Sequence, residues 1–176
     1  MPKSVTRTLR VDEDMDKAIE TSAAKQNVSV NFLVNSLLRR YVEWDSPAMS
    51  LGYVVVPSLL LDELAKAKDE ETLEQLGRKV ARDFLIPATV YALGETTVAS
   101  AIEVMRRASL YTGRFGFDLQ EGRDSRSHVL IIRHDQGRLW SRYYVGLLDE
   151  TFRVLLGEAA KTTYTDSLCI LQLATH

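Results

Sequence analysis

Val5-Thr6-Arg7-Thr8-Leu9-Arg10-Val11, then Asp12-Glu13-Asp14 and, after one helical stripe, Asn27-Val28-Ser29-Val30-Asn31 form the stretch that decides the fold. Its first seven residues are rich in β-branched types and alternate with period two, which predicts a strand. Val5, Arg7, Leu9 and Val11 fall on one face; Thr6, Thr8 and Arg10 fall on the other. Arg7 is the exception on the apolar face, where its long stem can snorkel at an edge. Asp12 stands at an N-cap position, and Glu13, Asp14 and Asp16 suit the positive end of a helix dipole. Met15, Ala18, Ile19, Ser22 and Ala23 keep helical spacing to the break at Asn27-Val28. Ser29 then caps a second helix, striped by Val30, Val34, Leu37, Leu38 and Tyr41 with Leu33 beside them. Arg39 and Arg40 occupy its C-terminal end, as the dipole prefers.

The stretch closes at Asp45-Ser46-Pro47-Ala48-Met49-Ser50, where the proline and small residues predict a helix stop and a short connection. Two domains follow, residues 1–45 and 51–176. About 45 residues are too few to bury a core unaided. A lone strand also leaves both edges unpaired. Pairing with a second copy answers both problems. From Ser4 to about Trp44 these residues resemble the ribbon-helix-helix family of DNA-binding proteins, the MetJ/Arc type. The resemblance implies a dimeric N-terminal ribbon-helix-helix; with the α/β domain read below for the rest, the expected fold class is α+β. It implies a two-stranded ribbon in the DNA major groove, with Thr6, Thr8 and Arg10 reading base edges. It further implies a phosphate held at Ser29, Val30 and Asn31, where a helix start offers free N–H groups. Lys3 adds a flanking phosphate contact.

Residues 51–176 read less clearly. Gly52-Tyr53-Val54-Val55-Val56 predicts a strand ended by Pro57. Helices are expected over Leu59–Lys68, over Glu71 to about Leu85 with Pro87 bending or ending it, and over Thr97–Tyr111. A hairpin is expected from Arg114–Leu119 and His128–Arg133, then a helix over Trp140–Leu156 and a closing strand over Thr162–Leu173. The sum is an α/β domain with an antiparallel sheet of about four strands. This order is similar to the vinyl-reductase-type ligand-binding domain, although Cys169 stands alone where that family commonly has a cysteine cluster. The similarity implies a small-molecule pocket.

The chain of 176 residues carries 22 Lys+Arg against 24 Asp+Glu, so bulk charge advertises no polyanion partner. Residues 1–11 nonetheless hold Lys3, Arg7 and Arg10 and no acid. A single cysteine excludes an intramolecular disulfide framework and fits a reducing compartment. With no apolar leader and no long apolar run, a cytoplasmic protein with no membrane partner is expected. His128 and His134, six apart in one strand, would lie about 20 Å from each other and cannot share an ion within the chain. No cofactor is implied, because the P-loop, G-x-G-x-x-G and H-E-x-x-H patterns are missing. His134, Asp135 and Ser141 are close in sequence, but proximity does not make a triad. The polar turn Arg133-His134-Asp135-Gln136-Gly137-Arg138 can bind an anion, line a pocket or simply meet water. No catalysis is assigned. The reading is a homodimeric transcriptional regulator on double-stranded DNA, modulated through its C-terminal domain by oligomerisation or a small-molecule effector. Its rivals are an antitoxin-type protein whose C-terminal part binds a partner, and an enzyme domain fused to a DNA-binding module.

Overall fold

A computed structural model describes residues 5–121, 127–157 and 161–174. It divides the chain into two units, Met1–Val42 and Glu43–His176.

The first unit is helical and contains no strand among its described residues. Residues 5–12 belong to no regular element, and α1 begins only at Glu13. The expected fold class, with its N-terminal ribbon, is therefore corrected. Among the described residues the backbone of this segment makes no hydrogen bond before Asp12, whose carbonyl accepts from Asp16. Alternation and β-branching set a preference, but a strand exists only where a ladder partner is supplied. Asp12 occupies the N-cap of α1 (Glu13–Lys25) with extended backbone and no side-chain capping bond. At the far end Asn27 takes φ 54°, in the left-handed region. The Val28 N–H then reaches Ala23 O and the Asn27 N–H reaches Ala24 O, a Schellman closure that turns the chain toward α2 (Val30–Arg40).

Neither Pro47, expected to stop a helix, nor Pro87, expected to bend or end one, ends the helical path. The chain runs from α2 through a π-helical turn, Tyr41–Asp45, into α3 (Ser46–Ser50), which contains Pro47. A second π turn, Ala81–Leu85, joins α5 (Glu70–Val80) to α6 (Ile86–Leu93), which contains Pro87. A helical proline offers no N–H and crowds the carbonyl four residues back, here Glu43 and Asp83. Both carbonyls lie inside the widened turns, where the looser winding gives the ring room. The Glu43 carbonyl accepts from Arg107 Nη1 at 3.4 Å instead.

Gly52–Val56 is likewise not a strand but a connection before α4 (Ser58–Lys66). After α7 (Val98–Thr112) comes the sheet: β1 (Gly116–Glu121), β2 (Ser127–Arg133), then α8 (Arg138–Leu156), β3 (Lys161–Tyr164) and β4 (Leu168–Ala174). The single closing strand expected over Thr162–Leu173 is thus two strands. The sheet order is β1-β2-β4-β3, every neighbour antiparallel, with Leu130 opposite Leu171 and Ile132 opposite Cys169. Leu130, Ile132, Cys169, Leu171 and Leu173 form its buried face and pack in one core with Leu148 and Phe152 of α8.

Helix α8 is clamped from the other side by α5. A Cβ at Gly77 would stand 2.1 Å from Tyr143 O, and one at Gly146 would stand 2.0 Å from Glu74 O. The two backbones touch because neither crossing point carries a side chain. Around this crossing lies an ion network. Glu150, almost fully buried, pairs with Arg153 at 2.6 Å and Arg82 at 2.8 Å, and Glu74 pairs with Arg78 at 2.7 Å and with Arg142. Among the described residues no single helix is long and apolar enough to cross a membrane.

Candidate nucleic-acid interface

Thr6, Thr8 and Arg10 are all solvent-exposed on the segment ahead of α1, together with Arg7. Lys3 lies outside the described residues. Between Val5 and Val11 the two arginines face no acid in sequence, whereas Asp12, Glu13, Asp14 and Asp16 follow at once. The donors and the acids are therefore segregated, with the acids gathered where the α1 dipole favours them.

Ser29 caps α2 as its sequence suggests: its side chain accepts from the Phe32 N–H at 3.1 Å, and its carbonyl accepts from Leu33 at 3.0 Å. Among the described residues the amides of Val30 and Asn31 have no acceptor in the chain. Both residues are exposed, so two N–H groups and the positive end of the α2 dipole open to solvent. The Asn31 carbonyl accepts from Asn35 Nδ2 at 2.8 Å, which holds its backbone in the helix.

Apolar exposure completes the surface. Ala23 is the only buried residue among the described residues of the first unit. Val5, Leu9, Met15, Phe32, Leu37 and Leu38 are each at least half exposed. So much apolar surface left uncovered is unusual for a unit of this size.

No protein-family model matches the sequence, and no curated protein matches it.

The polar turn in the second unit has a different character. His134 follows β2 and is nearly buried; its Nδ1 accepts from the Gln136 N–H at 3.3 Å. That bond places the proton on Nε2, which donates to Ser141 Oγ at 3.0 Å. The serine is wholly buried and receives a hydrogen bond from the ring it would need as a base. Burial lowers the His134 pKa. Asp135 is exposed and makes no bond to that ring, so these three residues do not form a triad. Cys169 donates to the Ser141 carbonyl at 3.4 Å, and burial pushes its thiol up to about 12, far from a reactive thiolate. His128 sits on β2 opposite Leu173 and Glu121. No cluster of three metal-ligating side chains exists among the described residues.

Sequence reasoning missed the network next to that turn. Asp62 of α4 accepts from Arg114 Nη2 at 2.9 Å and from Trp140 Nε1 at 3.0 Å, while Arg114 lies over the Trp140 ring at 5.0 Å. Gln136 donates to the Arg114 carbonyl and accepts from the Tyr144 hydroxyl. These partners are 52 and 78 residues apart from Asp62 in the chain, and no local pattern announces them. Each polar group is occupied by another, so the turn is a structural knot tying α4 to α8. A separate narrow cleft, almost wholly apolar, is lined by Trp44, Tyr53, Ala88, Ala92 and Val104, with Arg107 at its edge.

Proposed function

We propose that the chain is a DNA-binding transcriptional regulator that works as a homodimer in the cytoplasm. The observation that carries this reading is the composition of the first unit's surface. It exposes Thr6, Thr8 and Arg10 and the open α2 amides of Val30 and Asn31, and it buries almost nothing of its own. Such a unit has the donors for bases and phosphates and needs a second copy to cover its apolar side chains. Arg10 donates two hydrogen bonds to guanine, and each threonine offers a hydroxyl and a methyl. Val30 and Asn31 hold a phosphate on the neighbouring backbone. Net acidity of the chain is no obstacle, since only the contacting surface has to be positive. Two copies bind two half-sites, and anything that alters their spacing alters affinity. The second unit supplies that control; its apolar cleft at Trp44 and Tyr53 supports a small-molecule effector.

The test is capture of genomic fragments by purified protein at near-physiological salt, wild type beside Thr6→Ala/Thr8→Ala/Arg10→Ala. Selective enrichment by the wild type and its loss in the variant is expected. Arg10→Ala alone should cost about 1–3 kcal/mol at the cognate site and relax preference at one base pair. An equal loss on every sequence would make Arg10 a phosphate contact. Failure of the wild type to enrich any fragment would end the DNA reading.

A further inference from the structure

The second unit carries a feature that DNA binding does not use. Leu51–Leu61 contains no charged residue, and within it Val54, Val55 and Val56 are exposed, Val55 completely. None of these three makes a backbone hydrogen bond to another part of the chain among the described residues. The run is bounded on both sides. The Tyr53 N–H is already given to Ala48 O at 3.0 Å, and Pro57 has no N–H to give. Its ends are also fixed: the Tyr53 ring packs on Trp44 at 5.4 Å and Phe84 at 4.8 Å, and Pro57 is the N-cap of α4. Three β-branched residues with open donors and acceptors are thus presented between two anchored points.

We infer that residues Val54–Val56 form a self-association contact, pairing antiparallel with the same residues of a second copy about a two-fold axis through Val55. Centring on Val55 follows from the bounds. In that register Val54 faces Val56 of the second copy, and Val55 faces its own counterpart. Tyr53, whose N–H is occupied, then falls opposite Pro57, which lacks one. Neither residue is asked for a donor it does not have.

The occupant is a second copy for two reasons. A two-fold contact is self-complementary, and an uncharged β-branched run is its own complement. The area also fits. Val54, Leu59 and Leu64 are 78, 69 and 58% exposed, and with Val55, Val56 and Leu60 they uncover apolar surface along the run and α4. Their exposed surface sums to on the order of 600 Å², approaching the ~800 Å² each partner gives a standard interface. Three backbone residues alone would hold two copies weakly, since a two-stranded ribbon is marginal in water. The α4 leucines supply the remaining burial. This contact is independent of the DNA reading and of the first unit's own association.

The experiment uses the full chain. Facing residues in an antiparallel pair have Cα atoms about 4.5–5.5 Å apart, within disulfide reach. Val55→Cys should therefore cross-link under mild oxidation at least tenfold faster than Val154→Cys, an exposed control on α8; native Cys169 is buried and does not compete. Val55→Lys, at a site with no packing to lose, should keep its far-UV CD spectrum and weaken self-association at least tenfold by sedimentation. Equal cross-linking rates for the two cysteine variants would overturn the proposal. So would a Val55→Lys chain that sediments like wild type at every concentration, which would leave the run to a different protein.

Discussion

The two units of this chain differ sharply in how much they bury. In Glu43–His176, Leu130, Ile132, Leu148, Phe152 and Leu171 are wholly buried, and distant elements close on one another through α8. In the described part of Met1–Val42 only Ala23 is buried, and α1 and α2 show their apolar stripes to solvent. One unit buries a core through contacts within the chain; the other, among its described residues, buries almost nothing of its own. A sequence can therefore specify local elements well and still leave open what makes them stable.

The sharpest way to break the self-sufficient unit is at its tightest contact. Gly146→Ala places a methyl 2.0 Å from the Glu74 carbonyl oxygen, so α5 must lift from α8. In an exposed helix the same change stabilises by about 1 kcal/mol; here a loss of about 3 kcal/mol or more is expected in urea unfolding followed by tryptophan fluorescence. A gain would mean that the helices do not touch there.

The comparison itself is tested by separating the units. A peptide of residues 1–45 should gain helical CD signal as its concentration rises, because association supplies its burial. A fragment starting at Glu43 should unfold cooperatively even at the lowest concentration. Helicity of the peptide that ignores concentration would remove the distinction.

Next in size is the buried carboxylate beside the helix crossing. Hydrogen bonds from Arg153, with Arg82 and the charge of both, hold Glu150 down to about 2 against an ordinary 4.5. A depressed carboxylate stabilises the fold above its unfolded pKa and loses that contribution as pH falls through its folded one. Stability should therefore decline between about pH 4.5 and pH 2. Glu150→Ala should flatten that limb and cost about 2 kcal/mol at neutral pH, less than the 3–5 of a fully buried pair because Arg82 and Arg153 are half exposed. Thermal melts across the acid range read both effects.

The smallest expected change is at the start of α2. Ser29→Ala removes the bond to the Phe32 N–H and should cost the helix about 1 kcal/mol, visible as lower helicity in the 1–45 peptide. Ser29→Gly should cost only a few tenths, separating the cap bond from the backbone geometry.

Much of this was legible in the sequence wherever one element carries its own signal. Ser29 before a spaced apolar stripe gave α2, and the run from Trp140 gave most of α8. What escaped was whatever needs a second partner. Val5–Val11 and Gly52–Val56 have strand composition, yet a strand requires a neighbour, and the described residues supply none to either. Pro47 and Pro87 signal a stop, but a π turn ahead of each lets the helical path continue. Gly77 and Gly146 look like helix-weakening residues until α5 and α8 meet. At the candidate interface Thr6, Thr8 and Arg10 are exposed, but so are Val5, Arg7, Leu9 and Val11 on the other predicted face, so the alternation leaves no mark there. The proximity of His134 to Ser141 is real but carries the wrong proton for a nucleophile.

The bond from Arg107 to the Glu43 carbonyl has a genetic consequence. The guanidinium stands in for the amide hydrogen that a residue other than proline would bring at position 47. Replacing Arg107 by alanine should then harm the protein when Pro47 is present and harm it less beside Pro47→Ala, where the backbone can supply its own donor. Positions 47 and 107, 60 residues apart, would drift together through any lineage that keeps this turn, the arginine becoming dispensable only after the proline is lost.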